Sequence, residues 1–159
     1  MEWLGLHLLS GQPPEGMLLL DCMHNMFLMA LSYGVICAAC FATLDIGDRI
    51  IHVENQRSRQ RWQVLGALCL AGGVWAMHFI GMLAFETPMP VSYDLPVTVA
   101  SLFIAAISGA FAIRAISQEV LGPGQWLLSA IGIGLGVGVM HYMGMSALRS
   151  PAIQYYQPG

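Results

Sequence analysis

Met77-His78-Phe79-Ile80-Gly81-Met82 and Met140-His141-Tyr142-Met143-Gly144-Met145 share one pattern, Met-His-x-x-Gly-Met. The histidine and the second methionine are four residues apart, so on a helix they lie on one face, one turn apart. Each copy therefore offers an imidazole nitrogen and a thioether sulfur to the same region of space. Imidazole with thioether is a soft donor set. It suits copper, Cu(I) above all, better than calcium, magnesium or manganese, which take oxygen. A third histidine, His24, stands beside Asn25 at the entrance of the first apolar run. The candidate metal ligands are thus His24, His78 and His141, with Met77, Met82, Met140 and Met145. Met23, Met26, Met143 and Cys22 are further donors close by. Asn25 and Tyr142, and with them Tyr33 and Ser146, are within sequence reach as partners for the second ring nitrogens of ligating histidines. Glu86 and Asp94 flank these residues without entering the runs, which does not suit a carboxylate-rich di-iron centre.

The segments that must hold these side chains are apolar. Of 159 residues, 57% are hydrophobic and 9% charged, with a mean hydropathy of +0.66. A soluble domain carries about 25% charged residues, so lipid is the expected solvent. The expected fold is all-α: a membrane bundle of four antiparallel transmembrane helices. The spans are expected at about 26–44, 62–85, 95–113 and 126–148, each long enough for a hydrocarbon core of ~30 Å. Residues 1–20, with Pro13-Pro14 and Gly16, read as an interfacial arm on the outer side; 21–150 form the membrane domain, and 151–159 a polar tail. Residues 45–61, with Arg49, Arg57, Arg59 and Arg61, read as one strongly charged loop, and Gly122-Pro123-Gly124 as a turn. The N-terminus lacks the positive start of a signal peptide, so the first apolar run is expected to be retained.

The spans read as an internal duplication of helix pairs. His24-Asn25 opens the first pair and Tyr93-Asp94 holds the equivalent place in the second. In the fourth span, Gly132/Gly136 and Gly134/Gly138 have the small-x-x-x-small spacing of close helix packing. Cys37, Cys40 and Cys69 fall inside apolar runs and read as small packing residues.

Orientation follows from the arginines, since cytoplasmic loops are enriched in positive charge. Arg49, Arg57, Arg59, Arg61 and Arg114 follow spans one and three, whereas Arg149 alone is on the other side. The domain is thus expected in a bacterial inner membrane with its N-terminus periplasmic. His78 and His141 then lie at one depth, about 10 Å below the outer ends of their spans, and His24 lies at the outer end of its own. His52 falls in the cytoplasmic loop and His7 in the arm. No lysine is present and net charge is −3, which excludes a basic nucleic-acid surface. No nucleophile triad or paired intramembrane carboxylates occur, so no enzyme activity is expected. A haem-binding electron carrier, and a structural module whose histidines tie helices together, remain alternatives to a metal-ion site.

At these residues the chain resembles the MHYT family of bacterial integral-membrane sensor domains. Met140-His141-Tyr142-Met143 carries three of the four letters of the name and Met77-His78-Phe79-Ile80 two. His24-Asn25, Ser32-Tyr33, Ala42-Thr43-Leu44-Asp45, Gly81-Met82-Leu83-Ala84-Phe85 and Tyr93-Asp94 also fit, and the likeness covers about 22–150. The resemblance implies a sensor of oxygen, carbon monoxide, nitric oxide or redox state through a bound metal, suggested to be copper. The implied ligands are His24, His78 and His141, with Met77, Met82, Met140 and Met145 adjacent. It also implies a cytoplasmic signalling output, whether a domain or a partner protein. The family usually has three motif-bearing pairs, and two are present. The sequence stops on the outer face, as expected of a fragment of a longer sensor or of a shortened member.

Overall fold

The computed structural model describes residues 23–86, 92–118, 120 and 122–149. The arm at 1–20, the tail at 151–159, His7 and Cys22 lie outside the described residues.

Four long helices make up the fold: α1 (Met26–His52), α2 (Gln56–Leu83), α3 (Leu95–Ile116) and α4 (Pro123–Ala147). The shortest has 22 residues, about 33 Å at 1.5 Å per residue, and all four are long and apolar enough to cross a membrane. Their outer faces present Phe27, Phe41, Leu68, Phe103, Leu127 and Leu135. A row of large exposed apolar side chains on every helix is the surface of a protein dissolved in hydrocarbon, and this chain is a multi-pass membrane domain.

The charged loop expected at 45–61 is mostly helix. α1 continues past Leu44 to His52, and only Val53, Glu54 and Asn55 separate it from α2. Charges end a hydrocarbon span but not a helix. Asp45 and Arg49, four residues apart on α1, form an ion pair at 2.9 Å, which favours helix continuation. His52 belongs to that last turn, its Nδ1 2.8 Å from the Asp48 carbonyl oxygen. At the other turn Gly122 is the N-cap and Pro123 the first residue of α4, where its missing N–H costs nothing.

Each helix pair is closed at its other end by the same device. β1 (Met23–His24) pairs antiparallel with β2 (Phe85–Glu86), and β3 (Ser92–Tyr93) with β4 (Leu148–Arg149). The next residue in each pair, Asn25 or Asp94, donates its backbone N–H to Ala84 or Ala147 at 2.8 Å. Both residues also cap their helices. Asn25 Oδ1 accepts from the N–H groups of Phe27 and Leu28, and Asp94 Oδ1 from Val97. The duplication read from sequence is therefore carried by equivalent caps and equivalent strand pairs.

α2 and α3 form the centre, with α1 packed on α2 and α4 on α3. Small residues let them approach. A Cβ on Gly66 would meet Ile113 of α3 and Ile46 of α1, and one on Gly109 would meet the Ala67 carbonyl of α2. On α4, Gly132 lies against Phe111 and Gly136 against Ser108, whereas a Cβ on Gly134 or Gly138 would point into open space. Only one of the two glycine pairs read from sequence is a packing seam. The core is two small clusters: Ile46, Ile50, Ala67 and Ile113 towards the arginine-bearing turns, and Ala71, Ala105 and Met140 nearer the motifs.

Candidate functional site

His78 lies five residues before the end of α2 and His141 six before the end of α4, so their equal depth holds in three dimensions. The structure brings the two rings together. Their Nδ1 atoms are 3.3 Å apart, the ring centroids 4.9 Å apart, and the rings meet edge to face at 69°. Two nitrogens can share such a contact through one proton, with one ring donating and the other accepting. The pair thus ties the first helix pair to the second.

The two rings have different surroundings. His78 is buried, and its Nε2 has no hydrogen-bond partner. That nitrogen rests where a Cβ on Gly144 would stand, so the glycine of the second motif makes room for the histidine of the first. The reverse contact does not form: Gly81 has nothing within 4 Å, and His141 is exposed. An aromatic wall runs beside His78. Trp75 and Phe79 lie 4.7 Å apart, His78 and Phe79 meet edge to face at 5.2 Å, and Tyr93 follows Phe79 at 5.8 Å. Trp75 Nε1 donates to Ser101 Oγ at 3.1 Å, which fixes the base of that wall to α3. Tyr93 lies in β3, outside the spans, and burial pushes its phenol above its ordinary value.

His24 is exposed on β1, with its ring edge to face against Phe85 at 5.2 Å. Among the described residues no three His, Cys, Asp or Glu side chains converge, so the expected meeting of three histidines reduces to a meeting of two. Met140 is 1% exposed and sits in the apolar cluster with Ala71 and Ala105, which makes its thioether part of the core. Met77, Met82 and Met145 are half-buried, and Met82 and Met145 hold the positions four residues beyond the histidines. The Asn25 carboxamide oxygen caps α1. Tyr142 is exposed, its ring 5.7 Å from that of His141, and Ser146 donates its hydroxyl to the Met143 carbonyl at 2.8 Å. Cys37, Cys40 and Cys69 are free thiols within the helices.

The separation of the two Nδ1 atoms is within hydrogen-bond reach and is also that of two nitrogens on one tetrahedral ion. Two nitrogens each about 2.0 Å from a tetrahedral ion stand about 3.3 Å apart, and the two Nδ1 atoms are separated by 3.3 Å. The residues beside His78 that sequence reasoning missed are Phe79, Trp75 and Tyr93. Gly144 was visible in the repeated pattern, but nothing in one sequence says that the histidine of the other copy fills the space above it.

Comparison with known proteins accounts for the repeat. Residues 72–129 and 134–159 match the MHYT family, described as a bacterial signalling protein N-terminal repeat. The cyclic di-GMP phosphodiesterase NbdA of Pseudomonas aeruginosa is 43% identical over 159 residues, 99% of this chain and 20% of that protein. The bifunctional diguanylate cyclase/cyclic di-GMP phosphodiesterase MucR of the same organism is 39% identical over 133 residues, 83% of this chain and 19% of its own length. The signaling protein YkoW of Bacillus subtilis is 30% identical over 133 residues, 83% of this chain and 16% of its own. The chain spans about a fifth or less of each of these relatives. No solved structure matches it. The matched repeats, the paired motifs and these identities place the chain in the MHYT family of bacterial signalling proteins.

Proposed function

We propose that this chain is the sensory membrane module of a signalling protein that controls cyclic di-GMP, and that His78 and His141 form the core of a copper site that responds to a diatomic gas or to redox state. The observation that carries the metal reading is the facing of two Nδ1 atoms at 3.3 Å across the two helix pairs. The cyclic di-GMP reading rests on the activities named for the relatives. A bound copper ion would supply a redox-active centre able to take a small ligand. This chain's residues supply the donors and the constraint. His78 is enclosed by Gly144 and the aromatic wall, while His141 is exposed. Met82 and Met145 are the thioethers best placed by helical spacing to complete the set, and His24 is a further donor at the same end.

A change in the separation of the two rings moves α2 against α4. Both helices are long enough to run the full thickness of the membrane, so a displacement at the histidines reaches the arginine-bearing turns, and the excess of arginine there supports a cytoplasmic position for them in a bacterial inner membrane. There it meets an output domain or partner protein. Such coupling requires different affinity of the ligand for two helix arrangements.

The direct ring contact also supports a second reading, in which one imidazole N–H donates to the other ring and the pair only ties α2 to α4. A haem between the two rings fits less well, because a macrocycle needs them parted on either side of its plane and they touch edge to face. Metal content decides. Protein purified in mild detergent without a histidine tag, and loaded anaerobically with Cu(I), is expected to retain copper near one per chain. A still-folded His78→Ala/His141→Ala variant is expected to lose it. Absence of copper from the loaded parent would overturn the metal reading and leave the interhelical bond. An intense Soret band would favour haem.

A further inference from the structure

At the opposite end of α2 from the histidine pair, three of its first six residues are arginines, Arg57, Arg59 and Arg61, and its first turn holds no acidic residue. A helix N-terminus carries partial positive charge and unpaired N–H groups, so it favours anions and opposes cations. The three side chains differ in what they face. Arg59 is half-buried, and its Nη2 donates to the Ser117 carbonyl at 3.5 Å, which latches α2 to the end of α3. Arg57 and Arg61, four residues apart, are both exposed and share one face of α2 with Gln60. Among the described residues no carboxylate pairs with either of them. Asp45 is held by Arg49 at 2.9 Å, Asp48 faces His52 at 3.9 Å, and Glu54 lies in the turn outside ion-pair distance.

That face does not end at the charges. Val64, Leu65 and Leu68 continue it down α2, at 59%, 50% and 56% exposure. From Arg61 to Leu68 the helix rises about 10 Å, the distance that separates headgroups from acyl chains in a bilayer. Trp62, a residue type enriched at membrane interfaces, stands between the two, with the Arg49 guanidinium 5.6 Å from its ring centre. The same helix face therefore offers two guanidiniums and an amide at one end and apolar side chains at the other. A soluble anion would use only the charged end. A molecule with a phosphate and fatty chains uses both.

We propose that Arg57 and Arg61, above the wall of Val64, Leu65 and Leu68, form a binding site for an anionic phospholipid. Its chemistry is bidentate guanidinium–phosphate pairing at the membrane surface, where each arginine adds to the attraction for anionic lipid. The site is independent of any metal at the histidines.

The test uses the whole chain, delipidated in mild detergent and titrated with dioleoyl phosphatidylglycerol, dioleoyl phosphatidylcholine or inorganic phosphate. Bound lipid is counted by native mass spectrometry and thermal unfolding is followed in parallel. Phosphatidylglycerol is expected to bind at least tenfold more tightly than phosphatidylcholine and to raise the unfolding temperature. The variant R57Q/R61Q is expected to lose that preference, while R57K/R61K keeps most of it and R114Q, at the other turn, keeps all of it. Both altered side chains are exposed, so the fold should persist, and circular dichroism checks this. Leu68→Ser is expected to weaken phosphatidylglycerol binding without touching a charge. Equal binding of the two lipids, an unchanged preference in R57Q/R61Q, or protection by inorganic phosphate equal to that by lipid would each overturn the proposal.

Discussion

At the scale of single residues the two copies of Met-His-x-x-Gly-Met are not equivalent, and the difference can be measured. Gly144 lies under the buried His78 ring, whereas Gly81 has open space. Gly144→Ala must displace His78 or part α2 from α4. Overpacking of this kind costs about 1–3 kcal/mol, and the displaced ring is expected to lose copper retention as well. Gly81→Ala is expected to change stability by less than about 0.5 kcal/mol, as a substitution into free space does. Thermal unfolding of both variants in detergent checks the asymmetry, and equal effects would contradict it. The contact between the histidines has its own signature. Interhelical hydrogen bonds in membranes average about 0.6 kcal/mol and reach about 1.7, so a double-mutant cycle on His78→Ala and His141→Ala in metal-free protein is expected to show coupling in that range. Coupling near zero would mean that the rings do not bond in the folded protein.

At the scale of elements, the duplication gives a paired prediction. Asn25 and Asp94 each cap a helix with a side-chain oxygen and each close a strand pair with a backbone N–H. Loss of such a cap costs about 1 kcal/mol, so Asn25→Ala and Asp94→Ala are expected to destabilise by that amount each, measured by unfolding in detergent. The equivalence of Asn25 and Asp94 was legible in the sequence, because both stand at the start of an apolar run one residue after a ring. The four helices were legible too, because 18 or more apolar residues leave few alternatives to a span. The ends at Asp45–His52 and Gln56–Arg61 were not. Sequence hydropathy marks where lipid stops; α1 runs beyond that point with its Asp45–Arg49 ion pair, and α2 starts before it from the Asn55 cap. Nor was the use of each glycine or methionine legible. Gly136 and Gly138 differ only in which side of α4 they occupy, and Met140 is core because α3 and α2 pack against it. These are facts about neighbouring helices, which periodicity within one helix does not record. For the same reason the equal depth of His78 and His141 was readable, while the separation of His24 from them was not.

At the scale of the whole molecule, five of the six arginines lie at the opposite end of the helices from the histidine pair. Arg49, Arg57, Arg59, Arg61 and Arg114 cluster at the α1–α2 and α3–α4 turns, and the strand pairs stand at the other end. Moving five guanidiniums across hydrocarbon is far costlier than moving the strand pairs, so the arginine end is expected to stay cytoplasmic. Single cysteines at Asn55 and Val120, in a background with Cys22, Cys37, Cys40 and Cys69 replaced by serine or alanine, report on that end. One at Ser92, exposed in β3, reports on the other. A membrane-impermeant thiol reagent added to intact cells is expected to label Ser92→Cys and to spare Asn55→Cys and Val120→Cys until the membrane is opened. The reverse pattern would put the histidine pair on the cytoplasmic side and remove the relay from an outer sensor to an inner output. Labelling of Asn55→Cys and Val120→Cys from different sides would break the antiparallel arrangement itself, because each turn joins a helix running one way to a helix running back.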